Sequence, residues 1–173
     1  ETVSKQLLDP DALDALVAWA TSRQVSEAIA AMFAGEKVNV TEGRPALHVA
    51  LRASGRTIEV EGEDVVAQAG AVRARMHRFA EGVRRGEILS DTDEAFTDVV
   101  HVGIGGSELG PAMICAALSE FADGPRVHFV ANVDGAATMR VLDGLNPATT
   151  LVTVASKTFT TQETLTNAAT IRD

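Results

Sequence analysis

Little in this sequence could cross-link it or build a core from rings. Cys115 is the lone cysteine and lies in an apolar segment, which excludes an intramolecular disulfide and fits a reducing compartment. Aromatic residues make up 4% of the chain, so the core must be made mainly of Ala, Val, Leu and Ile. No apolar run approaches the roughly 20 residues that a bilayer-spanning helix needs, and a membrane is not an expected partner. The chain opens at Glu1 with no basic-then-apolar pattern. Nothing therefore argues for export, and the expected location is cytoplasmic. Positive charge is also scarce: 15 Lys and Arg stand against 24 Asp and Glu, for a net charge of −9. Such a surface repels a long polyanion, which excludes nucleic acid as a partner. A phosphate could be held only locally, by backbone dipoles and a single lysine, and that suits a small phosphorylated metabolite.

What is present is ordinary globular composition, 46% hydrophobic and 23% charged over 173 residues, enough for one good core or two small pieces. Residues 1–85 read as helical with one interruption. Asp9-Pro10 is a helix start, followed by Leu13, Leu16, Val17 and Ala20 at helical spacing. Ser22 is positioned to cap a second helix with an apolar stripe of Val25, Ile29, Met32 and Phe33, which Gly35 ends. Pro45 is read as opening a short helix closed by Gly55, and Thr57 to Glu61 as a short strand or extended connection. From Asp64 to Arg85 a long amphipathic helix carries Val65, Ala69, Val72, Met76, Phe79 and Val83. These stripes read as core. After Gly86 the pattern changes to strand and helix in alternation. Strands are expected at Asp98–Val102, Arg126–Ala131 and Thr150–Ala155, with helices at about Pro111–Phe121, at Asp134–Leu142 and from Thr161 onward. That order predicts a parallel sheet with right-handed crossovers, an α/β fold. Three strands make a thin sheet, so the chain is expected to be a piece of something longer.

Chemistry concentrates in two loops. Between the third strand and its helix, Ser156 to Thr161 carries four hydroxyls and Lys157, a donor-rich segment beside a helix start, where free N–H groups attract anions. Thr160-x-x-Glu163 fits a capping box. A plain polar strand-to-helix loop has the same composition. The other loop runs from Gly103 to Pro111 after the first strand. A dinucleotide fingerprint there would need glycine where Glu108 stands, a Walker loop would need Lys and Ser/Thr where Pro111-Ala112 stand, and a nucleophile elbow on Ser107 would need glycine at Leu109. All three fail. What remains is Gly105 and Gly106, free to approach a ligand closely, and the hydroxyl of Ser107. Loops after the first and third strands of a parallel sheet leave the same edge, so these two can close on one ligand.

Other groups offer less. His48, His77, His101 and His128 lack paired metal-ligand spacing and read as surface or satisfied core residues, so no metal is expected. Glu61, Glu63 and Asp64, like Asp91, Asp93 and Glu94, read as solvated loop charges.

Three segments taken together resemble the glucose-6-phosphate isomerase family: VGIGGSELGP at 102–111, ASKTFTTQET at 155–164, and NVTEGRPALHVALR at 39–52. Asn132-Val133-Asp134-Gly135 and Leu145-Asn146-Pro147 add to the likeness, which runs over nearly the whole chain. The resemblance implies an enzyme that interconverts glucose 6-phosphate and fructose 6-phosphate through an enediol, a step of glycolysis and gluconeogenesis. It implies no cofactor and no metal, and a homodimer in full-length form. It implies that residues 1–90 are a helical N-terminal part of a larger domain. Residues 91–173 would then be the first half of a doubly wound sugar-isomerase (SIS) domain. Carried onto this chain, the sugar phosphate falls to Ser156, Lys157, Thr158 and Thr161, with Phe159 and Thr160 between them, and to Gly106 and Ser107 of the first loop. Glu108 stands where the family more often has Asp, and His101 where Asn is common. The family's glutamate base, ring-opening histidine and catalytic lysine belong to later motifs not found here, so no catalytic residue is assigned. This chain by itself is expected to be inactive. The alternative is a non-catalytic sugar-phosphate-binding module of the SIS type.

Overall fold

The computed structural model describes residues 9–172, and the helical reading of the eight residues before Asp9 lies outside them. The chain divides into two compact units, Glu1–Arg75 and Met76–Asp173.

In the first unit, α1 (Pro10–Ser22) starts where a cap followed by proline puts it. The Asp9 carboxylate accepts from the Ala12 N–H at 2.7 Å, and Pro10 occupies the first helical position, where no N–H is required. Ser22 does not cap α2 (Val25–Phe33). Its hydroxyl turns back to donate to the Trp19 carbonyl at 2.7 Å, and the chain enters α2 through Gln24 at φ 54°. The helix expected at Pro45 begins later, as α3 (His48–Leu51). Paired backbone hydrogen bonds between Asn39 and Arg44 form a small bridge, and Pro45 and Ala46 follow it outside any helix.

The charges at positions 61 to 64, read as solvated loop charges, are exposed at Glu61 and Glu63 but belong to a hairpin rather than a plain loop. β1 (Glu59–Val60) and β2 (Glu63–Asp64) pair antiparallel around Glu61 and Gly62, both at positive φ, as a two-residue hairpin demands. Glu61 pairs with Lys37 at 2.9 Å. Asp64 caps α4 (Val65–Arg84) by accepting from the N–H groups of Val66 and Ala67 at 2.9 and 3.2 Å. The buried centre of this unit is small: Val49, Ala50 and Ile58, with Met32, Leu47, Val65 and Val66 packed around them. The stripes read as core are mostly not buried. Leu13, Leu16 and Val17 of α1, Val25 and Ile29 of α2, and Val72 of α4 are exposed, as are Met76 and Phe79 where α4 continues into the second unit. A helical stripe is buried only where a second layer covers it, and among the described residues none covers these.

The second unit contains the parallel sheet, in the order β4-β3-β5, with β3 (Asp98–Val102) between β4 (Arg126–Val130) and β5 (Thr150–Val154). α5 (Leu109–Ala117), α6 (Gly135–Leu142) and α7 (Gln162–Arg172) follow the three strands. α5 starts two residues before the expected Pro111, because a tight 3₁₀ turn at Gly105–Ser107 runs into it, and it ends at Ala117 ahead of a second such turn at Ser119–Phe121. On β3, Asp98, Val100 and Val102 are buried, while Val99 and His101, facing the other way, are half-buried. Val100, Val102 and Val130 form the core with Val141, Leu142, Leu145, Val154 and Ile171 around them. Each fully buried valine contributes about 1.5–3 kcal/mol.

At the amino edge of the sheet a single carboxylate joins the strands. Asp98, 2% exposed, accepts from His128 Nε2 at 2.8 Å, Arg126 Nη2 at 2.9 Å and the Thr97 hydroxyl at 2.9 Å, and Thr97 reaches the Thr149 hydroxyl at 3.0 Å. These bonds, His128 first and then Arg126, outweigh desolvation and lower its pKa from 3.8 to about 2. A folded-state pKa below the unfolded one gives stability that is present in full above pH 3.8 and is lost as the pH falls through 2. Acid titration of the unfolding free energy is expected to fall across that window. Asp98→Asn should remove this component and cost roughly 2 kcal/mol at neutral pH; denaturant unfolding at pH 7 and pH 3 checks both.

Candidate anion-binding site

β3 and β5 are adjacent and parallel, with Val102 opposite Val154, and the Ala155 N–H donates to the Val102 carbonyl at 2.8 Å. The loops that follow them therefore leave the same edge of the sheet side by side. The first loop is compact. Gly105 takes a positive φ of 58°, the Ser107 N–H donates to the Ile104 carbonyl, and the Ser107 carbonyl folds back over Gly103. A Cβ at Gly103 would lie 2.7 Å from that oxygen, so only glycine fits there. Gly106 and Ser107 lie within this turn.

The second loop is tied together by its own hydroxyls. Ser156 Oγ lies 3.1 Å from Thr161 Oγ1, closing the loop, and Thr158 Oγ1 lies 2.6 Å from Thr160 Oγ1. Each pair uses one O–H and leaves the other free to donate. Phe159, between them, sits at φ 54° and is exposed. Lys157 is exposed, and among the described residues no carboxylate pairs with it. The expected capping box does not form as read: Thr160 bonds Thr158, α7 begins at Gln162, and the Leu165 N–H donates to the Thr161 carbonyl at 3.1 Å. Thr161 thus stands at the N-cap, and the N–H groups of Gln162, Glu163 and Thr164 have no acceptor within the helix. Free N–H groups, two spare O–H groups and an ammonium are the donor set of an anion site.

His101, read as a surface or satisfied core residue, is half-buried with both ring nitrogens satisfied, but its place between the two loops was not foreseen. It lies in one row across the sheet with Phe129 and Thr153, and its ring meets Phe129 edge-on at 5.6 Å between centroids. Its Nε2 lies 2.8 Å from the Ser107 carbonyl and its Nδ1 3.0 Å from the Thr153 hydroxyl. The signal lay in strand alternation: position 101 shares a face with its cross-strand neighbours, not with buried Val100 and Val102. Asn167 was missed as well; almost fully buried, it donates to the Asn132 carbonyl at 3.1 Å and ties α7 to the loop after β4. Among the described residues no three His, Cys, Asp or Glu side chains cluster as a metal site would.

A sequence profile of the family described as phosphoglucose isomerase matches residues 2–173. The chain belongs to the phosphoglucose isomerase family. It is 54% identical over 169 residues to a glucose-6-phosphate isomerase of Cereibacter sphaeroides and 55% identical over 168 residues to one of a Ruegeria species, covering 98% and 96% of this chain but 32% and 31% of those proteins. A crystal structure of a glucose-6-phosphate isomerase from Chlamydia trachomatis superposes with a TM-score of 0.72 at 28% identity, covering 95% of this chain and 32% of that one. The chain thus spans about a third of the length of these family members, and the α/β fold is the one it shares with them.

The Gly103 contact separates two glycines of the same family segment. Gly103→Ala is expected to destabilise the protein by roughly 1–3 kcal/mol, whereas Gly106→Ala, whose Cβ meets nothing within 4 Å, should be close to neutral. Melting temperatures of the two variants check the difference.

Proposed function

We propose that this chain supplies the sugar-phosphate-binding loops of a glucose-6-phosphate isomerase, an aldose-ketose isomerase that acts through an enediol. In this reading Ser156, Lys157, Thr158 and Thr161, with Phe159 and Thr160 between them, hold the phosphate, and Gly106 and Ser107 complete the site from the neighbouring loop. The observation that carries it is the emergence of both loops from adjacent parallel strands at one sheet edge, with Val102 opposite Val154. The family membership and the two relatives named glucose-6-phosphate isomerase support reading the anion as a hexose phosphate.

The role assigned to these loops is positional. A 1,2-proton shift needs a base at the C1–C2 edge of the sugar, while contacts at the phosphate end supply orientation and binding energy. Residues 1–90 then belong to a helical part of a larger domain and residues 91–173 to the first half of an SIS domain. The longer polypeptide is read as a cytoplasmic homodimer. Among the described residues no helix is long and apolar enough to cross a membrane.

Full-length protein is expected to convert glucose 6-phosphate to fructose 6-phosphate, and a protein that binds the sugar phosphate without turning it over would favour the non-catalytic module instead. In that background Lys157→Ala should raise KM for glucose 6-phosphate by about 10- to 100-fold, the loss of one charge-assisted hydrogen bond, with a far smaller change in kcat. Steady-state kinetics measure it, and an unchanged KM removes Lys157 from the site.

A further inference from the structure

We infer that His101 is a positioning residue, a bracket that holds the Ser107 turn in register with β5, and this rests on the phosphate reading of the two loops. The chemistry of the partners sets the proton. A backbone carbonyl can only accept, so Nε2 carries the hydrogen that reaches the Ser107 oxygen at 2.8 Å. In the neutral ring Nδ1 then has a free lone pair, and it accepts from the Thr153 hydroxyl at 3.0 Å. Thr153 sits on β5, directly opposite His101 and three residues before Ser156. The same imidazole therefore holds the backbone of one loop and the strand that leads into the other. Among the described residues no hydrogen bond joins the two loops directly.

Two further contacts limit how far this bracket can move. The Ser107 carbonyl is pressed against Gly103, where a Cβ would come within 2.7 Å, so β3 grips that oxygen through both His101 and Gly103. On the other side the ring packs edge-on against Phe129 of β4, which restricts its rotation. Fixing the Ser107 carbonyl fixes the backbone from which the Ser107 hydroxyl projects, and a displacement of about 1 Å at a positioning group is enough to impair binding or rate.

The experiment uses the full-length protein and two substitutions. His101→Ala is expected to raise KM for glucose 6-phosphate about tenfold, with kcat within about threefold, and to weaken competition by inorganic phosphate in parallel. His101→Gln places an amide N–H where Nε2 stood and is expected to bring KM back to within about threefold of the wild type. An unchanged KM in His101→Ala overturns the inference. So does a His101→Gln variant as impaired as His101→Ala with an equal loss of melting temperature, which marks a purely structural role. If His101→Ala does not fold, imidazole ¹⁵N shifts of the wild-type protein decide: a proton on Nε2 supports the bracket, and a neutral ring protonated on Nδ1 overturns it. Wild-type protein without turnover overturns the proposed function, whereas wild-type turnover that His101→Ala leaves untouched overturns only the role of His101.

Discussion

The parallel pairing of β3 with both of its neighbours is the constraint from which the rest of the second unit follows. Because Val102 stands opposite both Val130 and Val154, the three strands end at one level, and the segments after them start from a common line. A slip of one residue would reverse the side chains of a strand, sending Val100 and Val102 out of the core and His101 into it. The register thus settles core and site together: the even positions Val100 and Val102 pack with residues of α6 and α7, while His101 on the opposite face meets the Ser107 turn.

Charge is divided between the two edges of this sheet. At the amino edge a buried carboxylate gathers a guanidinium, an imidazole and a hydroxyl, so donors that could otherwise serve an anion are committed there. The carboxyl edge keeps donors that are mostly neutral: backbone N–H groups, hydroxyls and one exposed lysine. In a chain of net charge −9, such a site depends on oriented dipoles at short range, because the long-range field opposes the ligand. That favours a compact anion able to enter the loop over an extended one lying across the surface.

Local signals carried most of the fold. Asp9-Pro10, Asp134 before α6 and the valine-rich β3 each state their structure within a few residues, and β3 begins and ends where its pattern does. What escaped the sequence depended on competition or on distance. Ser22 could accept from an N–H ahead of it or donate to a carbonyl behind it, and it donates to Trp19. Glu61-Gly62 is a hairpin turn without the Asn or Asp that usually marks one. The apolar stripes of α1 and α4 report which face of a helix is apolar, not whether this chain covers it. For the candidate site, the residue types and the shared sheet edge were legible. The link through His101 was not, because the ring joins a carbonyl six residues on to a hydroxyl 52 residues away.

The hydroxyl pairs of the second loop carry a consequence of their own. In Ser156–Thr161 and Thr158–Thr160 either oxygen can be the donor, so reversing a pair moves the free proton from one oxygen to the other without moving a heavy atom. A phosphate monoester loses its last proton near pH 6, so around neutrality it presents sometimes a P–OH and sometimes only bare oxygens. A loop of reversible hydroxyls can receive both forms, accepting from the first and donating to the second, where a cage built only of guanidinium or ammonium groups would reject the protonated ligand's O–H. Its hydrogen-bond polarity is left open until the ligand arrives to set it.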